Sequence, residues 1–136
     1  TEANKVLARH WLSRSRIALF NEIETTTLAG VGDTVEAARA IRAVMAEGAT
    51  VVVKRGPDGA QAMGPDGKLI SAAAPKVDVV DTIGAGDVFN AAFLAALARG
   101  KSLAASLSDG TQVASQAIST SPRSYGEMPA ASARSA

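Results

Sequence analysis

The residues best suited to chemistry in this chain stand in one stretch, Asp81-Thr82-Ile83-Gly84-Ala85-Gly86-Asp87-Val88-Phe89. Gly84 and Gly86, on either side of Ala85, leave the backbone free to take positive φ and let a ligand come close. The stretch follows an apolar, β-branched run, Val77 to Val80, and leads into an alanine-rich segment of helical period, Asn90 to Arg99. The order expected is therefore strand, tight loop, helix start. The first N–H groups of a helix have no internal partner and carry the positive end of its dipole, so a phosphate fits there. Asp87 would sit at that helix start, where a carboxylate can accept a hydrogen bond or a proton from an incoming hydroxyl. Taken alone, the residues also allow plainer readings: Asp87 as a helix cap or dipole partner, and Gly-Ala-Gly as a tight turn.

The whole string is more specific than its parts. It resembles the signature of the ribokinase-like sugar kinases, also called the phosphofructokinase-B family, Asp-Thr-x-Gly-Ala-Gly-Asp-x-Phe, and every fixed position is matched. The resemblance implies an anion hole for the transferred phosphoryl group at Gly84, Ala85 and Gly86, with Asp87 as catalytic base. It implies a three-layer α/β/α fold on a mostly parallel sheet, with ATP and Mg2+ as cofactors. It further implies a sugar or sugar acid as acceptor and, for the parent enzyme, a homodimer. Members of the family often bind a monovalent cation, K+, by the loop that here contains Asp81 and Ile83.

A second pair is Asn21 and Glu24, just past the short apolar run Ile17-Ala18-Leu19-Phe20. Polar residues at the C-terminal end of a buried strand are where open α/β sheets keep their ligands. The Asn-x-x-Glu spacing puts an amide and a carboxylate on one side of a helical first turn. Such a pair can hold a hydrated magnesium, which keeps its waters and takes only one or two carboxylates from protein. A helix cap with a solvent-facing Glu is the competing reading. The family carries an Asn-x-x-Glu motif at this place, which implies magnesium held through water near Asn21 and Glu24.

The third group is Lys54-Arg55-Gly56-Pro57-Asp58-Gly59-Ala60, after the β-branched run Thr50 to Val53. A glycine-bearing loop there can bring backbone N–H groups against a nucleotide, and Lys54 adds a positive charge. A plain Pro-Asp-Gly turn is the alternative. Lys54, Gly56 and Gly59 match the family's nucleotide-site pattern, although Arg55 stands where an apolar residue is more usual. Lys in place of Thr at 54 resembles the 2-keto-3-deoxygluconate kinase and fructokinase branches. The family also places part of its adenine pocket on the last helix, where Thr111 is the nearest equivalent.

Composition bounds the alternatives. The 136 residues suffice for one compact domain, and 47% are apolar, which suits a globular α/β protein. The 14 basic and 13 acidic residues leave a net charge of +1 with no basic block, so nucleic acid and anionic membranes have no electrostatic footprint. Without cysteine there is no disulfide or Cys-based zinc site, and His10, the one histidine, cannot build a His-rich one. No run reaches membrane-spanning length and the start is not a signal peptide, so a soluble, cytoplasmic protein is expected. Gly67-Lys68 lacks the rest of a Walker loop, and no Gly-x-Gly-x-x-Gly is complete.

The elements that must position these groups follow from periodicity. Val6, Leu7 and Trp11 share one face of a helix over 3–12, with Trp11 expected in the core and His10 at the surface. Asp33 or Thr34 can cap a helix whose buried stripe is Val35, Ala38, Ile41, Val44 and Met45, stopped by Gly48. Thr50 to Val53, without alternation, reads as a parallel strand covered on both faces. Ala60 to Met63 and Leu69 to Ala72 flank a hairpin turn. Gly100 ends the alanine-rich helix, and Ser102 can cap a last one that stops near Pro122. Residues 1–122 thus read as the nucleotide-binding, C-terminal portion of a kinase, and 123–136 as a flexible tail. The family's N-terminal strands, sugar-gripping glycine pair and β-sheet lid have no counterpart in the sequence, so the fold is expected to be incomplete. The function expected is ATP-dependent phosphorylation of a sugar or sugar-acid hydroxyl. The alternatives are a non-catalytic nucleotide-binding fragment and a nucleoside or vitamin kinase of the same fold.

Overall fold

The computed structural model describes residues 2–119. They form two compact units, one of residues up to Arg55 with Gln61–Ile70, the other of Gly56–Ala60 with residues from Ser71 onward. The first unit holds helix α1 (Glu2–Leu12), strand β1 (Ile17–Asn21), helices α2 (Glu22–Ala29) and α3 (Thr34–Val44), and strand β2 (Thr50–Lys54). Strands β3 (Ala60–Met63) and β4 (Leu69–Ala72) follow, and the sheet order is β1-β2-β3-β4. β1 and β2 are parallel, with Ile17 opposite Thr50 and Asn21 opposite Lys54. Parallel neighbours need a crossover, which α2 and α3 supply.

Local signals explain the crossover. The Asp33 carboxylate accepts the Glu36 N–H at 2.9 Å and starts α3, whose Ala37, Ala38 and Ile41 are buried. Gly48, at φ 76°, turns the chain back into β2. Thr50 to Val53 are all buried, as a strand without alternation requires. Leu12, Ala18, Ala38, Ile41, Met45, Ala49, Val51 and Val53 form the core of this unit. Burying each large aliphatic side chain contributes about 1.5–3 kcal/mol.

Three expectations fail. The helix over 2–12 forms, but Val6, Leu7 and Trp11 are 66%, 56% and 63% exposed, so Trp11 is not a core residue. Among the described side chains of α1 only Leu12, in the last turn, is buried. In α3, Val44 is 41% exposed while Met45, just past the helix, is buried, because the stripe drifts as the helix ends.

The second unit is built on helices α4 (Ala85–Ala98) and α5 (Leu103–Ile118). Phe89, Ala92, Phe93 and Ala96 of α4 pack with Leu107, Val113 and Ala117 of α5 as its buried apolar residues. The rings of Phe89 and Phe93 stack, 6.0 Å apart and 11° from parallel. Gly110 makes room for them: a Cβ there would lie 2.7 Å from the Phe89 ring. Ser102 caps α5 by accepting the Ala105 N–H at 3.1 Å. Here the third expectation fails: Val77 to Val80 form no strand, and Val79 and Val80 are each 57% exposed. The run has β-branched propensity, but none of the four described strands pairs with it. Instead the N–H groups of Val80 and Asp81 both donate to the Ile118 carbonyl, at 2.7 and 3.1 Å. The expected tail, 123–136, and the stop near Pro122 lie outside the described residues. Among the described residues no helix is long and apolar enough to cross a membrane.

Candidate functional site

In the second unit the signature string folds as a turn opening a helix. The Asp81 carboxylate accepts the Ile83 N–H at 2.9 Å, an Asx turn that ties the loop to itself. Gly84, at φ 79° and ψ 4°, is left-handed, the conformation that a glycine takes without strain. It occupies the N-cap position of α4 and, having no side chain, caps nothing. The Ala85 N–H donates to the Thr82 carbonyl at 3.2 Å and the Val88 N–H to the Gly84 carbonyl at 3.0 Å. The Gly86 and Asp87 N–H groups have no partner among the described residues, so the positive end of α4 stays open. Of the three residues expected to make an anion hole, Ala85 spends its amide on the turn. The amide of Asp87, not one of the three, is open as that of Gly86 is. The Asp87 side chain is exposed in the first helical turn.

Three further candidates share this unit. Gly56 and Gly59 bracket a single 3-10 turn, Gly56–Asp58, and the Gly59 N–H donates to the Gly56 carbonyl at 3.0 Å. Gly59 is obligatory: its φ is 90°, and a Cβ would meet the Ala72 carbonyl oxygen at 2.0 Å. Thr111 is buried on α5, and its hydroxyl donates to the Ser108 carbonyl at 2.9 Å.

In the first unit Asn21 and Lys54 are register partners, the last residues of parallel strands β1 and β2. Asn21 and Glu24 form a reciprocal capping box. The Asn21 Oδ1 accepts the Glu24 N–H at 2.7 Å, and the Glu24 Oε1 accepts the Asn21 N–H at 2.9 Å. The cap reading of this pair is therefore the one formed. It still fits a hydrated cation in one way. Asn21 Oδ1 is engaged by the cap and the Asn21 backbone N–H holds Glu24 Oε1, so the Glu24 Oε2 is the oxygen that a water on the cation would meet. Among the described residues no three acidic or histidine side chains cluster as an all-protein metal cage.

The structure adds residues that the motifs did not flag. The Arg55 Nε lies 3.2 Å from the Glu22 Oε2, which also accepts the Thr34 hydroxyl at 3.3 Å. The parallel pairing explains the contact: Glu22 follows Asn21 and Arg55 follows Lys54, so strands ending in register leave these two side by side.

The chain was compared with known proteins. A family model described as pfkB family carbohydrate kinase matches residues 2–130. Mouse (Mus musculus) ketohexokinase is 45% identical over 86 residues, 62% of this chain and 29% of the ketohexokinase. Aminoimidazole riboside kinase from Salmonella enterica, solved with aminoimidazole riboside and an ATP analog, superposes with a TM-score of 0.77 at 27% identity. That match covers 88% of this chain and 41% of the Salmonella chain. Ribokinase from Arabidopsis thaliana, complexed with ribose and ATP, gives a TM-score of 0.75 at 30% identity, covering 82% of this chain and 37% of its own. The chain thus spans well under half the length of these relatives, and its α/β fold is ribokinase-like. Taken with the intact signature at Asp81 to Phe89, the match to residues 2–130 means that the chain belongs to the pfkB family of carbohydrate kinases.

Proposed function

We propose that this chain is the nucleotide-side portion of a kinase that transfers the γ-phosphoryl group of ATP to a hydroxyl of a sugar or sugar acid. One observation carries the reading: the uncapped N-terminus of α4, opened by left-handed Gly84, presents two unpartnered amides and the Asp87 carboxylate in one helical turn. Phosphoryl transfer asks a protein mainly for positioning and charge stabilisation, because a loose transition state leaves little covalent work. The amides of Gly86 and Asp87 stabilise charge on the transferring oxygens. Asp87 takes the acceptor hydroxyl's proton late, once that oxygen is bonding to phosphorus, so a weak base suffices. The resemblance assigns nucleotide contacts to Lys54, to the backbone at Gly56 and Gly59, and to Thr111. Glu24, fixed by Asn21, would hold hydrated Mg2+ through water, and the ion would supply charge neutralisation. The loop of Asp81 and Ile83 is the place for a monovalent cation, which comparing potassium with a bulky organic cation tests.

The test is ADP release by this chain with ATP, Mg2+ and a panel of sugars and sugar acids, with ATP binding followed by calorimetry. Turnover with one acceptor that disappears in Asp87→Asn, while ATP still binds, supports the reading. Undiminished turnover in Asp87→Asn refutes the base. ATP binding without turnover on any acceptor reduces the function to nucleotide binding.

A further inference from the structure

The Glu22–Arg55 pair occupies the position where β1 and β2 stop sharing backbone hydrogen bonds. Asn21 and Lys54 are the last register partners, and each is followed at once by one member of the pair. Beyond them the chains part, Glu22 into the first turn of α2 and Arg55 out of the sheet. β2 keeps β3 as its other neighbour, but on the β1 side the ladder ends here, and the Arg55 Nε to Glu22 Oε2 contact at 3.2 Å is the next tie between the two chains. The same carboxylate oxygen accepts the hydroxyl of Thr34, the first residue of α3, at 3.3 Å. The pair is partly shielded, with side-chain exposures of 32% for Arg55 and 39% for Glu22, so solvent screens it less than a surface pair. Arg55 stands where the family usually has an apolar residue; here an ion pair replaces packing.

We infer that Arg55, Glu22 and Thr34 form a positioning clamp that fixes the β1-facing side of the end of β2, and so holds the backbone of Lys54 in register with Asn21. Arg55 would act on the nucleotide through Lys54 and not by touching it. The inference rests on the nucleotide role proposed for Lys54, but the clamp itself can be read without nucleotide.

Five variants of the full chain test it: Arg55→Leu, Arg55→Lys, Glu22→Gln, Lys54→Met and the double variant Lys54→Met/Arg55→Leu. The first readout is amide hydrogen exchange at Lys54 and Arg55 in the absence of ATP. Arg55→Leu and Glu22→Gln should each speed exchange there by about threefold to tenfold, the range expected of a partly shielded pair. The second is the ATP dissociation constant, which should rise by a similar factor in Arg55→Leu and be partly restored in Arg55→Lys. Lys54→Met should abolish the sensitivity, so that adding Arg55→Leu to it changes ATP affinity no further. Unchanged exchange at Lys54 in Arg55→Leu and Glu22→Gln overturns the clamp. An equal loss of ATP affinity from Arg55→Leu with and without Lys54 overturns its action through Lys54. Failure of the unaltered chain to bind ATP instead sinks the nucleotide reading, while the exchange result still decides the clamp.

Discussion

Replacing Gly110 by alanine pits two effects of known size against each other. In a helix interior the change removes the conformational cost of glycine and should stabilise α5 by about 0.8–1.0 kcal/mol. Here the new methyl would meet three atoms of the Phe89 ring at 2.7, 2.9 and 2.9 Å. That ring cannot step aside cheaply, being 4% exposed and stacked on Phe93. Overpacking of a well-filled core costs about 1–3 kcal/mol, so the net change should be a loss of about 1 kcal/mol, close to a fivefold shift in the folded to unfolded ratio. Urea unfolding should show a lower midpoint at unchanged slope. The double variant Phe89→Leu/Gly110→Ala should show favourable coupling of about 1 kcal/mol, because the smaller side chain vacates the contested space. Phe89 also lies two residues after Asp87, so turnover should suffer more than ATP binding. A Gly110→Ala variant more stable than the parent, or a cycle without coupling, would show that the packing of α4 on α5 is looser than described.

Asn21→Ala should lower stability by about 1 kcal/mol through loss of the cap to the Glu24 N–H, read from the urea midpoint, whereas Asn21→Asp should keep most of it. Gly59→Ala should cost at least about 2 kcal/mol, combining positive φ with the clash on the Ala72 carbonyl. Gly56→Ala should cost only about 1 kcal/mol, since φ is 57° but nothing lies within 4 Å, and thermal melting of both variants checks the contrast. Asp87→Asn should lower kcat by about 10²–10⁴ with ATP affinity nearly unchanged, measured by steady-state ADP release and calorimetry.

Much of the candidate site was legible because its signals are local. A glycine before a helix start, an Asn three residues before a Glu, and an Asp or Ser ahead of an apolar period each specify geometry within one turn. Gly84, Asn21, Asp33 and Ser102 all behave as those rules require. Val77 to Val80 misled for the complementary reason: a strand needs a partner, and β-branched composition does not provide one. Trp11 misled because a periodic stripe shows that a helix is amphipathic without showing what covers it. The Glu22–Arg55 pair lay hidden because it joins residues 33 apart in sequence. Only the pairing of β1 with β2 brings them together, and that register is a property of the sheet.

The division of the chain has a consequence for cleavage. Residues 56–60 belong to the second unit, yet 61–70 return to the first before the chain leaves it again. The polypeptide is therefore stitched, and no single cut separates the units into two pieces. A protease nick after Arg55 would release an N-terminal piece holding β1 and β2 and a C-terminal piece still carrying β3 and β4 of the same sheet. The two products should stay associated through that sheet and run apart only under denaturing conditions.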